Sequence, residues 1–127
     1  MPNILFVGLG GFIGASLRYW LGGLVQDWSG SVTFPYGTLA VNLICCLVIG
    51  LLSQLAEARG VFTPQTRLLV FTGVLGGFTT FSTFGNETYN FLQDGENQLA
   101  LLNMTVHIVL GLAAVWCGRA LAHLIWR

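Results

Sequence analysis

The run from residue 72 to 90 constrains this chain more than any other. An apolar stretch, Leu68 to Phe71, leads into it as the opening turn of a membrane helix would. Then come Gly73, Gly76 and Gly77, hydroxyls at Thr79, Thr80, Ser82 and Thr83, and phenyl rings at Phe78, Phe81 and Phe84. A helix in lipid cannot easily carry a double glycine and a threonine pair at mid-depth unless something else satisfies the loosened backbone. Irregular backbone at that depth is tolerated only where protein buries it or where it lines a cavity. The run therefore reads as a broken span, with the break as the site.

The rest of the chain supports a membrane setting. Of 127 residues 54% are hydrophobic and 8% are charged, with no lysine, against about a quarter charged in soluble domains. The expectation is a single all-α membrane domain of four transmembrane helices, over about 4–25, 36–55, 65–92 and 99–125. The third stretch is too long for one straight crossing of about 20 residues, and its interruption is expected at 76–79. The apolar N-terminus lacks a positive leader and reads as a retained span, not a signal peptide. Four spans put both termini and the 56–66 loop on one side. Arg59, Arg67, Arg119 and Arg127 belong there and Arg18 near the other, so the positive-inside rule leans toward cytoplasmic termini. Trp126 and Arg127 read as an interfacial end. Five basic and five acidic residues give no net charge, and no basic patch points to nucleic acid.

Polar residues inside spans are the candidates for function. Arg18, beside Tyr19 and Trp20, either snorkels to the interface or faces an aqueous vestibule. Asn42 is the one strongly polar residue inside the second span; it either bonds a neighbouring helix or faces a path. Ser82 and Asn86, with Thr83, Glu87 and Asn90, form a polar stripe on the third. Asn103, His107 and Gly111 share a face of the fourth, where His107 is either packed or pore-lining. Two small-xxx-small pairs, Gly10 with Gly14 and Gly73 with Gly77, offer close-packing faces and suggest a homo-oligomer. Gly8 and Gly10 imitate a dinucleotide fingerprint, but Ile13 stands at its third glycine. Cys45, Cys46 and Cys117 have no metal or redox spacing.

No enzyme constellation appears: Ser82 has no base at usable spacing, and the two histidines, at 107 and 123, make no metal motif. Hydroxyls and amides donate hydrogen bonds that replace an anion's hydration shell. Phe81 and Phe84, three apart, either pack as core or turn electropositive ring edges to an anion. Carbonyls freed at the break suit a cation.

The run Gly-Gly-Phe-Thr-Thr-Phe-Ser-Thr-Phe at 76–84 resembles the signature of the Fluc (CrcB) fluoride channel family. Residues 37–43 and 10–19 resemble its second-helix and first-helix motifs. The resemblance implies a dual-topology antiparallel homodimer with two fluoride pathways in a bacterial cytoplasmic (inner) membrane. It implies a structural sodium ion at the dimer centre, held by the main-chain carbonyls of Gly76 and Thr79. It matches Phe81 and Phe84 to the pore phenylalanines, Asn42 to the second-helix asparagine and Arg18 to the vestibule arginine. Thr83, Glu87, Asn103 and His107 continue the implied path, His107 standing where many relatives carry a small hydroxyl residue. A small dual-topology proton-coupled multidrug exporter is the alternative, but it requires a carboxylate in the first span and none lies between Ile4 and Val25. A non-transporting assembly subunit would show no ion flux.

Overall fold

The computed structural model describes residues 2–60 and 62–125. Its elements are α1 (Pro2–Ser29), α2 (Tyr36–Arg59), α3 (residues 64–78), α4 (Phe81–Gln93) and α5 (Asn97–Ile125). α3 runs as Pro64–Arg67, then a π-helical stretch Leu68–Leu75, then Gly76–Phe78. π winding is ordinarily a single-turn bulge and often marks functional segments. With α3 and α4 as one broken span, four helices are long and apolar enough to cross a membrane, and the chain is a multi-pass membrane protein. Trp126 and Arg127 lie outside the described residues.

Local chemistry sets the ends. Pro64 occupies the first turn of α3, and Thr63 Oγ1 accepts the Thr66 N–H at 3.1 Å, the usual N-cap arrangement. α2 stops at Gly60, whose φ of 60° suits a residue without Cβ, and its N–H returns to the Ala56 carbonyl at 2.9 Å. Gln26 ties down the loop after α1. Its Nε2 donates to the Ser31 and Phe34 carbonyls at 2.7 and 3.1 Å, and its Oε1 accepts the Gly37 N–H at 2.9 Å.

Backbone-to-backbone contact through small residues joins the helices. A Cβ at Gly10 would sit 2.3 Å from the Leu69 carbonyl oxygen, and one at Gly14 would sit 2.1 Å from that of Val74. From the other side, Gly73 faces Gly10 and Gly77 faces Gly11. The two small-xxx-small pairs thus meet each other within one chain, and neither is left as a face for a second copy. α2 packs most extensively on α5, where Gly50 abuts Val115 and Gly118 abuts Leu47. Val41, Cys45, Leu75 and Phe78 make the central core, and Phe34, Phe91 and Ala100 a second one near the α1–α2 loop. Large apolar side chains such as Leu5, Phe12, Leu112 and Trp116 point outward, as a lipid-facing surface requires.

The interruption differs from the expected 76–79. Gly76–Phe78 stay helical, and the chain turns extended at Thr79 (φ −90°, ψ 156°) and Thr80 (φ −150°, ψ 117°). The glycines hold α3 against α1, while the helix is broken by the two threonines after them.

Candidate functional site

The break releases main-chain oxygens. In a continuous helix the Thr80 N–H would close on the Gly76 carbonyl; here it donates to Asn42 Oδ1 at 3.2 Å. The Thr83 N–H would close on the Thr79 carbonyl; here it donates to Thr80 Oγ1 at 3.2 Å, capping α4. Both carbonyls matched to a sodium site are therefore freed by the same two-residue feature. Neutral oxygens of this kind suit a hard cation. Gly76 and Thr79 are exposed on the single chain.

Asn42 clasps the break from α2. Its Oδ1 also accepts the Thr79 hydroxyl at 2.8 Å, and its Nδ2 faces the Thr80 carbonyl at 3.5 Å and His107 Nε2 at 3.2 Å. The side chain is 9% exposed, and both oxygen lone pairs and both amide hydrogens are used inside the chain. Of the two readings the sequence left open, the bond to neighbouring elements is the one present.

His107 stands between α2 and α4. Its Nδ1 lies 3.0 Å from the Asn103 carbonyl, and its ring centroid is 4.3 Å from that of Phe84. Phe84 is half-buried there, whereas Phe81 is 81% exposed, with the two rings 5.6 Å apart. The paired phenylalanines thus face different surroundings. Asn103, placed on the path by the sequence reading, is 0% exposed and lines neither the cavity beneath the α1–α2 loop nor the one beside Glu57. Its Nδ2 donates to Thr88 Oγ1 at 2.9 Å, and that hydroxyl donates to the Phe84 carbonyl at 2.8 Å. This chain of bonds fastens α5 to α4 through the Asn103 amide nitrogen, while its Oδ1 is buried with no partner among the described residues.

Below the α1–α2 loop opens a cavity of about 590 Å³ lined by Arg18, Thr38, Thr80, Thr83, Glu87 and Asn90, among others. Arg18 lines this space. Glu87 Oε1 accepts the Thr38 hydroxyl at 2.7 Å. Among the described residues, Glu87 Oε2, Arg18 Nε and, away from the cavity, Asn103 Oδ1 are buried with no hydrogen-bond partner. The lining therefore carries one cationic group, one carboxylate and the hydroxyls of Tyr19, Thr33, Thr38, Thr80 and Thr83. Ser82 and Asn86 face away from it, so the stripe on α4 divides into a cavity side and an outer side. The far end of the bundle carries the Arg119–Glu57 ion pair at 3.0 Å, with Arg67 beside Glu57 around a second cavity.

The structure thus joins Arg18, Thr83 and Glu87 in one cavity and Asn42, Thr79, His107 and Phe84 at the break, with Phe81 outside both. Sequence reasoning missed Thr38, Thr88 and Gln26. Thr38 had a signal, since it lies one turn before Asn42 on α2; a threonine inside a helix is too ordinary to stand out alone.

A family model described as CrcB-like protein, Camphor Resistance (CrcB), matches residues 5–119. The chain is 43% identical over 122 residues to fluoride-specific ion channel FluC 3 of Methanosarcina barkeri, covering 96% of this chain and 91% of that one. It is 46% identical over 118 residues to fluoride-specific ion channel FluC of Methylobacillus flagellatus, covering 93% and 92%. It is 41% identical over 125 residues to the protein of that name from Geotalea daltonii, covering 98% and 100%.

Proposed function

The chain belongs to the CrcB family, and from that premise we propose that it is a fluoride-selective channel through which fluoride leaves the cytoplasm passively, relieving its toxicity. One observation carries the reading: relatives 41–46% identical over nearly the whole chain are named fluoride-specific ion channels.

The chemistry of the site supports it. An anion entering beneath the α1–α2 loop meets the charge of Arg18 and then the hydroxyl of Thr83, whose hydrogen is free while those of Thr38 and Thr80 are given to Glu87 and Thr83. Hydroxyl donors replace water around a small anion one bond at a time. Deeper, Phe84 presents a ring beside His107, and ring edges attract an anion without the tight hold of a buried cation. Glu87 holds the Thr38 hydroxyl, and its negative charge limits how long an anion stays.

A second copy of the chain, antiparallel to the first, completes the pathway. Support comes from an outward polar face at Thr72, Gly76, Thr79, Ser82 and Asn86, with Phe81 among them. Lipid satisfies none of these groups. A sodium ion at the shared face, held by the Gly76 and Thr79 carbonyls of both copies, would fix the two breaks against each other. Lipid covers the remaining surface, in the cytoplasmic membrane of a microbe.

Purified protein in vesicles loaded with fluoride or with chloride tests the reading. Fluoride release without chloride release is the expected result; equal release of both would sink the selectivity.

A further inference from the structure

One hydrogen-bond relay crosses three elements and ends on main chain at both sides. On α5 the Asn103 carbonyl can only accept, so the facing His107 Nδ1, 3.0 Å away, carries the proton. At the break the Thr80 N–H can only donate, so the facing Asn42 atom is Oδ1, at 3.2 Å. That orientation turns the Asn42 amide nitrogen toward His107 Nε2, at 3.2 Å. Nε2 therefore receives a hydrogen and is bare. The alternatives fail at a fixed group. The Nε2–H tautomer would set donor against donor at Asn42 and acceptor against acceptor at Asn103. A reversed Asn42 amide would aim its NH2 at the Thr80 N–H, which cannot turn. The relay thus has a single polarity, imposed from both ends.

We infer that His107 is a positioning residue: as the neutral Nδ1–H tautomer it orients the Asn42 amide, and through it holds the helix break in the form that frees the Gly76 carbonyl. The same ring lies against Phe84, 4.3 Å between centroids, so one side chain sets the position of both the break and the inner phenylalanine. With His107 in place, Asn42 keeps the Thr80 N–H away from the Gly76 carbonyl. Without it, one amide hydrogen of Asn42 loses its partner, and the amide is held from the Thr79 and Thr80 side alone, with more freedom to move. Glutamine at this position offers an acceptor to Asn42 and a donor to Asn103, so it can replace the imidazole in the relay; alanine can do neither.

The consequence for flux rests on the fluoride-channel reading, so the test has one arm that does not. Exchange of the Thr80 amide hydrogen is followed by NMR in the intact protein, in lipid nanodiscs, for the unsubstituted chain, His107→Gln and His107→Ala. Loss of an oriented partner is expected to speed exchange roughly tenfold in H107A and to leave H107Q near the unsubstituted rate. Fluoride efflux from vesicles should follow the same order. Thr80 protection unchanged in H107A, or lost equally in H107Q, overturns the inference. Histidine nitrogen shifts of the unsubstituted protein decide it even if a variant fails to fold. An Nδ1–H signature for His107 supports the relay, and an Nε2–H or charged ring refutes it. If unsubstituted vesicles release no fluoride, the functional reading fails while the exchange and shift results still judge the relay.

Discussion

Phe81 and Phe84 sit three residues apart on α4, yet one ring is 81% exposed and the other is packed on His107. Their shared helical spacing made them look alike in the sequence; their surroundings depend on where the break aims α4, which spacing does not encode. The polar candidates were legible because each costs free energy in an apolar span unless something uses it. Their partners were not, since Asn42 reaches elements 37 and 65 residues away. For Phe84→Ile, the apolar volume is nearly kept while the ring edge is lost. Fluoride efflux should fall, and loss of the contact with His107, worth about 0.5–1.5 kcal/mol beyond its area, should lower the thermal midpoint only modestly. An efflux rate equal to that of the unsubstituted chain would remove the ring from the path. Thr38→Val separates orientation from charge: it leaves Glu87 in place but deprives Oε1 of its only hydrogen bond. Slower efflux at an unchanged melting temperature is the expected pair of readings.

Among the helices, glycine carries the close approaches. The pairs on α1 and α3 were legible as packing faces, but not whose: small residues show that another backbone comes near without showing from which chain. Within this chain the answer is each other. The break was legible as a break, and its location was not, because glycine loosens a helix in principle and serves here to hold one. These roles give a sharp steric prediction. A Cβ at Gly14 would stand 2.1 Å from the Val74 carbonyl oxygen, and one at Gly118 equally near that of Leu47. Both obstacles are backbone, so relief requires shifting a helix. Gly14→Ala and Gly118→Ala are each expected to destabilise by about 1–3 kcal/mol or more. Gly8→Ala, with nothing within 4 Å of its added methyl, should be neutral or mildly stabilising through helix propensity, which favours alanine by about 1 kcal/mol. Thermal unfolding of the three variants in detergent compares them directly; equal midpoints would mean the helices slide apart without cost.

For the molecule as a whole, the outward face of the broken span remains to be covered. Thr72, Gly76, Thr79, Ser82 and Asn86 follow one another along one side, four, three, three and four residues apart, all exposed. Elsewhere exposed leucine, isoleucine and tryptophan side chains are numerous, as expected against lipid. A solitary chain would place freed carbonyls and hydroxyls in hydrocarbon at a cost of several kcal/mol per unsatisfied group. On the proposed pairing, two copies sharing this face with a cation between their carbonyls would remove that cost. They also bring the exposed Phe81 of each copy under cover. Such a cation would bind the paired state alone, so pairing and stability would both rise with its concentration. At a concentration 100 times the dissociation constant, mass action contributes about 2.7 kcal/mol. Exchanging sodium for an organic cation too large for main-chain oxygens should therefore lower the thermal midpoint and shift native mass spectra from two chains toward one. Returning sodium should reverse both changes. A two-chain species indifferent to the exchange would leave the pairing intact and remove the cation from its centre, while a single chain under both conditions would require another way of sheltering Thr79 and Asn86 from lipid.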